Sequence, residues 1–329
     1  MKISTVLSIF LGLARAAGEG VDDHSAPWTY NTWGADWPEA NVAGNECGST
    51  NQSPIDLPYL MNDKTKIINA KRDNFQKLYS DQTTGSKIYW DGHTSKITIT
   101  NEGEDLQKFS SWYSQDFLNG PDKFDGLQFH FHHGSEHTID GVRHDLEMHT
   151  VHVPTGGAKN GIRYAAMGIM FSVDKHNSNS DEKEIKIIDE FFDRLRWDVT
   201  SSDPMVDKVS YGELMMMVDM DNRWVYKGSV TTPPCATLVY WNVCRKIYPL
   251  KQKYLTQFKE QLKRGDLVGN YREVQEVDKH YIHIIQSDGA KPGELAVGVV
   301  VLSVIFVVCT IISIFAFLRF NWVHSKDEK

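Results

Sequence analysis

Apolar and polar positions alternate with a period of two along much of this chain. The runs Ile97 to Thr100, Leu127 to His132, Met148 to Val153, Ala165 to Val173, Tyr211 to Val218 and Thr237 to Val243 each read as a strand. Helical periodicity is convincing only over Lys183 to Leu195 and Tyr254 to Leu262. The pattern predicts a mostly β, mainly antiparallel domain with a few short helices, and no repeat at solenoid or propeller period interrupts it. Both ends depart from it. Lys2, the apolar run Ile3 to Leu13 and the small residues of Ala14-Arg15-Ala16 read as a signal peptide over 1–16, with an uncleaved anchor as the alternative. Leu295 to Leu318 is uncharged. As a helix it would reach about 36 Å at 1.5 Å per residue, enough to cross a hydrocarbon core about 30 Å thick. The reading is one domain over 17–287, a linker over 288–294, a transmembrane helix over 295–318 in the lipid bilayer and a cytoplasmic tail over 319–329. This makes a single-pass type I membrane protein of the plasma membrane or another secretory-pathway membrane, its domain extracellular or lumenal. A GPI signal is the weaker alternative, because the chain ends in charged residues.

Within the strand pattern, Phe129-His130-Phe131-His132 and Glu147-Met148-His149 carry the candidate chemistry. Side chains at i and i+2 share a face of a strand. His130 and His132 therefore point together, away from Phe129 and Phe131, and Glu147 shares a face with His149. If the two strands are neighbours, three imidazoles meet. Three neutral His ligands with the fourth position open describe a catalytic zinc (Zn2+) site. Of the 13 histidines, seven lie between residues 130 and 152. A His-rich surface or core network is the plainer alternative, but it does not account for two same-face sets on consecutive strands. His130, His132 and Glu136 also spell the H-x-H-x-x-x-E pattern of cupin barrels, yet the glycine offsets of that pattern are missing. No H-E-x-x-H occurs, which excludes a zincin helix.

Composition narrows the rest. A net charge of -8 makes nucleic acid an unsuitable partner. A chain that is 41% hydrophobic and 24% charged is ordinary for a folded globule. With the ends removed, the remaining length suits one large β domain. Cys244, in an alternating run, reads as a buried filler.

Four ordered blocks resemble the α-class carbonic anhydrases. Ser135-Glu136-His137-Thr138-Ile139 with His144 and Glu147-Met148-His149 is similar to the family signature. Gln52-Ser53-Pro54-Ile55, Gly228-Ser229-Val230-Thr231-Thr232-Pro233-Pro234-Cys235 with Trp241, and Asn270-Tyr271-Arg272 resemble the family's other segments. The blocks run from about Trp28 to about Ile285. His133 stands where animal cytosolic enzymes carry Trp, the loop at Gly134-Ser135 is shortened, and Thr150 replaces a more usual aliphatic residue, which puts packing beside the metal in doubt.

The resemblance implies a large twisted ten-stranded sheet and zinc-dependent reversible hydration of carbon dioxide to bicarbonate and a proton, by attack of zinc-bound hydroxide. It implies His130, His132 and His149 as metal ligands. Gln128 would hold His130, Glu147 would hold His149, and the Asn270 carbonyl would hold His132. Thr231 and Glu136 would orient the nucleophile, and His93, in a turn after Gly92, would carry protons to solvent. Val151, Val230, Trp241 and Ala166 match the apolar substrate pocket, with Thr232 beside bicarbonate. Relatives imply a Cys47–Cys235 disulfide, which the secretory compartment allows, and sensitivity to sulfonamide inhibitors; a homodimer is compatible with the family. His133, His137, His144 and His152 read as structural. The alternative function is a related binding or adhesion ectodomain that has lost catalysis.

Overall fold

Ten strands form one continuous path: β1 (Thr65–Asn69), β2 (Ser86–Trp90), β3 (Ser95–Thr98), β4 (Lys123–His132), β5 (Leu146–Pro154), β6 (Tyr164–Ser172), β7 (Met205–Val206), β8 (Arg223–Ser229), β9 (Thr237–Cys244) and β10 (Ile282–Gln286). The structure is a computed structural model describing residues 28–287 apart from 60–64, 82–85, 100–105, 178–180, 198–204, 207 and 278–280. The expected signal peptide, linker, transmembrane helix and tail lie outside the described residues. Among the described residues no helix is long and apolar enough to cross a membrane.

In space the path runs β7-β2-β3-β4-β5-β6-β9-β8-β10-β1. The β6–β9 and β10–β1 pairs are parallel and the others antiparallel. Three short strands, Gln76–Tyr79, Gln107–Ser110 and Tyr248–Pro249, join the sheet, so among the described residues it has 13 strands rather than the ten the resemblance implies. Asp56–Leu57, Thr138–Ile139 and Val142–Arg143 form a separate small sheet.

The period-two pattern explains which face is covered. Phe129 and Phe131 are wholly buried on the face opposite the histidines. Phe129 stacks on Tyr211 at 5.1 Å, and Phe131 meets Phe192, Trp197 and Phe258. Tyr211, Phe192 and Phe258 come from helices packed on that face, and Trp197 from the turn after one of them. Helix Glu182–Asp193 starts at Asp181, whose carboxylate accepts the Lys183 N–H, and it buries Ile188, Phe191 and Phe192. Helix Gln252–Arg264 buries Tyr254, Leu255, Phe258, Gln261 and Leu262, one stripe at helical spacing.

Tyr211 to Val218, expected as a strand, is a helix over Tyr211–Met217. Its buried residues Tyr211, Leu214 and Met215, with Val218 after the end, fall at i, i+3, i+4 and i+7. The run of apolar methionines hides that period from a count of alternation. Lys77 donates from its ammonium to the Met216 carbonyl at 3.0 Å and to that of Val218, capping helix-end acceptors that would otherwise be orphaned.

Candidate metal centre

The β4–β5 register places His149 opposite His130, Glu147 opposite His132 and Val151 opposite Gln128. All six therefore point to one face. A register shift follows between Val151 and His152, so the bulge lies just outside this block and leaves it intact. One ring nitrogen from each of His130, His132 and His149 lies within 4.8 Å of the others.

Each ring's other nitrogen is occupied. His130 Nδ1 is 2.9 Å from Gln128 Oε1, and His132 Nδ1 is 2.6 Å from the Asn270 carbonyl. His149 Nε2 is 2.9 Å from Glu147 Oε1. These acceptors hold the N–H on the outer nitrogen and leave the inner lone pair free: Nε2 of His130 and His132, and Nδ1 of His149. His132 Nε2 is buried with no hydrogen-bond partner. Burial pushes the pKa of His132 and His149 down and that of His130 well down, favouring the neutral ligand form. The donor set thus fits zinc: three neutral imidazoles with fixed tautomers and an unpartnered buried nitrogen facing the common centre.

Glu147 is the most committed carboxylate. Besides His149 it accepts from His137 Nδ1 at 2.8 Å and from the His137 backbone N–H at 2.9 Å. Burial alone would raise its pKa, but His137 and His149 hold it well below the usual carboxylate range. His137 Nε2 is 2.7 Å from the Tyr226 hydroxyl, which reaches Ser53 Oγ at 2.8 Å. This places the Gln52-Ser53 block behind the metal ligands.

Glu136 is fully buried. Its Oε1 accepts the Arg272 N–H at 2.8 Å. Its Oε2 lies 3.5 Å from His132 Nε2 and 3.7 Å from His149 Nδ1, and has no hydrogen-bond partner. Burial raises its pKa, opposed by His132, the Thr231 hydroxyl and the Arg272 N–H. Thr231 is buried at the start of a loop that the Val230 N–H to Ala236 carbonyl bond closes. Thr232 is half-buried, and its carbonyl accepts the Cys235 N–H. Cys235 is disulfide-bonded to Cys47. Arg272 donates to Gln52 Oε1 and to the Ser53 and Cys47 carbonyls, tying the bridge to the site.

Val151, Ala166 and Trp241 stand in one cross-strand row, and Val230 packs in the same apolar cluster. The Trp241 ring meets the His149 ring edge-on at 4.8 Å and donates Nε1–H to the Ser229 carbonyl. Thr150 points to the other face, where its hydroxyl bonds that of Tyr211 at 2.5 Å, so it does not pack beside the metal position. His93 is buried rather than exposed as a turn residue after Gly92 would be. Its ring stacks on Trp28 at 3.8 Å, contacts Tyr30, and has a pKa lowered by burial. His133 turns aside to the Asp145 carbonyl, and His152 bonds the Tyr79 hydroxyl. Cys244 is a free, buried thiol 3.1 Å from the Asp219 carbonyl.

Sequence reasoning missed Gly168. It lies across from His149 on β6, and a Cβ there would come within 2.6 Å of Glu147 Oε1. Only glycine leaves room for the carboxylate. The available signal was a lone glycine inside the apolar run Ala165 to Phe171. Lys96 was also missed; it pairs in register with His130 from β3.

A family model for the eukaryotic-type carbonic anhydrases matches residues 32–285. An Arabidopsis thaliana protein, alpha carbonic anhydrase 7, is 28% identical over 292 residues, 86% of this chain and 92% of that one. Dioscorin, solved with ascorbate, shares the fold at a TM-score of 0.59 and 18% identity, over 78% of this chain and 94% of its own. Carbonic anhydrase Cah3 of Chlamydomonas reinhardtii, solved with acetazolamide, does so at 0.55 and 20%, over 73% and 93%. The family match spans the strands, the three imidazoles and the loops that hold them: this chain belongs to the eukaryotic-type, α-class carbonic anhydrase family.

Proposed function

We propose that the chain binds one zinc ion at His130, His132 and His149 and catalyses reversible hydration of carbon dioxide to bicarbonate and a proton. One observation carries this reading: three inner ring nitrogens converge while every outer nitrogen already has its acceptor. Zinc bound to three neutral imidazoles lowers the pKa of its water to about 7 and so supplies a nucleophile at neutral pH.

The protein's own groups do the rest. Gln128, Asn270 and Glu147 fix the ligand tautomers. With its proton directed to Glu136, the Thr231 hydroxyl has only lone pairs left for the attacking oxygen and so orients it. Val151, Ala166, Val230 and Trp241 form an apolar wall that can hold carbon dioxide, which carries no charge to grip; Thr232 contacts the bicarbonate product. His93 accepts the released proton and passes it on; burial lowers its pKa, so the resting ring is neutral. Retention of all three histidines with Glu136 and Thr231 argues against the non-catalytic alternative.

The apolar run 295–318 and the segment 1–16 support a type I membrane anchor with the enzyme on the extracellular or lumenal side. The acetazolamide complex of the Chlamydomonas relative supports sulfonamide inhibition here. Zinc analysis and stopped-flow hydration of the full chain test the assignment. The parent should hold one zinc per chain and hydrate carbon dioxide, and His149→Ala should lose both. A His149→Ala protein working at the parental rate would refute it.

A further inference from the structure

Asp91 and Lys96 form an ion pair at the edge of the site that the chemistry above does not use. Lys96 stands opposite His130 across the β3–β4 pair, so its side chain leaves the sheet on the face of the metal ligands. Its ammonium lies 2.5 Å from Asp91 Oδ2, and the two side chains are 26% and 21% exposed. The other oxygen of Asp91 is also engaged: Oδ1 accepts the backbone N–H of His93 at 3.0 Å and of Thr94 at 2.8 Å. The Asp91 N–H returns to the Thr94 carbonyl, closing a turn around Gly92 at φ 89°.

The turn is also fastened to the sheet. Asn270 Nδ2 donates to the His93 carbonyl at 3.1 Å, while the Asn270 carbonyl takes the His132 ring N–H. Thr94 Oγ1 donates to the Phe131 carbonyl at 2.8 Å. The main chain on both sides of the His93 side chain is therefore held. The ring itself is held by the stack on Trp28, and the loop end carrying the turn is held by Asp91. Of these anchors, only the Lys96 bond to Asp91 is a side-chain pair near solvent, and it directs the carboxylate so that its second oxygen reaches both N–H groups.

We infer that Lys96 is a positioning residue for proton release: by clamping Asp91 it keeps the Gly92 turn closed and the His93 imidazole seated on Trp28. This rests on the reading of His93 as the proton carrier. The steps up to departure of bicarbonate do not involve His93, so the clamp bears on kcat and not on kcat/KM. Arginine can replace lysine here because it, too, offers a cation to one carboxylate oxygen; methionine keeps the stem and removes the charge.

The test uses the zinc-loaded full chain and its Lys96→Met, Lys96→Arg and His93→Ala variants. Turnover is measured in dilute buffer and with added imidazole, and the His93 ring is followed by selective isotope labelling for the upfield shift that stacking on Trp28 imposes. Lys96→Met should lower kcat in dilute buffer about fivefold, the size expected for loss of a partly exposed ion pair. It should leave kcat/KM unchanged, recover with imidazole and lose the upfield shift, and Lys96→Arg should match the parent. A Lys96→Met protein with parental kcat in dilute buffer and an unmoved ring signal overturns the inference. So does a loss of kcat/KM that imidazole does not repair, because Lys96 would then act on the metal centre. If His93→Ala itself shows no buffer dependence, the proton-carrier reading fails, and the ring signal alone then judges the clamp: an unmoved signal in Lys96→Met overturns it.

Discussion

Replacing Glu147 by glutamine changes one buried atom and sets two demands against each other. The carboxylate accepts three N–H groups: Oε1 takes His137 Nδ1 and His149 Nε2, and Oε2 takes the His137 backbone N–H. An amide offers an acceptor at only one of those positions. With its oxygen toward the two rings, its NH2 faces the His137 backbone N–H, and a buried donor is left unsatisfied, which costs about 1–3 kcal/mol. With its NH2 toward the rings, it donates to His149 Nε2 and drives the imidazole proton onto Nδ1, the nitrogen needed for the metal. Glu147→Gln should therefore raise the zinc dissociation constant about 10–100-fold, the usual effect of removing such a support, equivalent to ~1.4–2.7 kcal/mol. Competition against a fluorescent chelator at neutral pH measures the first effect, and urea unfolding of the metal-free protein measures the second. An unchanged zinc affinity together with an unchanged urea midpoint would show that Glu147 does not orient His149.

His152 is wholly buried, and burial pushes its pKa down to about 3. The unfolded chain takes that proton near pH 6.5, so between those values the unfolded state binds more protons and stability falls as pH falls. His152→Gln, which keeps an acceptor for Tyr79, should lose ~2.3 kcal/mol less than the parent between pH 6.5 and 4.5 in urea unfolding; parallel pH curves would exclude a buried neutral imidazole. Asp73 and Arg223 are both fully buried and paired, so Asp73→Ala strands a guanidinium and should cost about 3–5 kcal/mol by urea unfolding. A double variant with Arg223→Met should recover much of that. The Cys47–Cys235 bridge spans a sequence separation of 188, and removing it by Cys47→Ser should cost about 5 kcal/mol in the chain-entropy account. A variant melting with the parent would show that the loop is held by Arg272 and Gln52 instead.

Some of the site was readable before any coordinates. Phe129 to His132 alternates, and alternation in a strand has one meaning, so the shared face of His130 and His132 followed. The helix at Tyr211–Met217 was not readable, because three consecutive methionines fill both the helical and the strand template and only packing against Phe129 and Tyr79 selects one. The burial of His93 was not readable, because no local signal announces Trp28, 65 residues earlier, as the stacking partner of its ring.

The chain's own pattern thus determined which residues could become ligands, since period-two geometry is a property of each strand alone. The assembled sheet decided that they meet. A slip of one residue between β4 and β5 would have turned His149 toward Phe129 and emptied the site. The folded structure also chose which nitrogen each ring turns inward, set by acceptors as distant as Asn270, and left the gap at Gly168 that Glu147 fills. Those choices depend on contacts between segments far apart in sequence, and no local pattern encodes them.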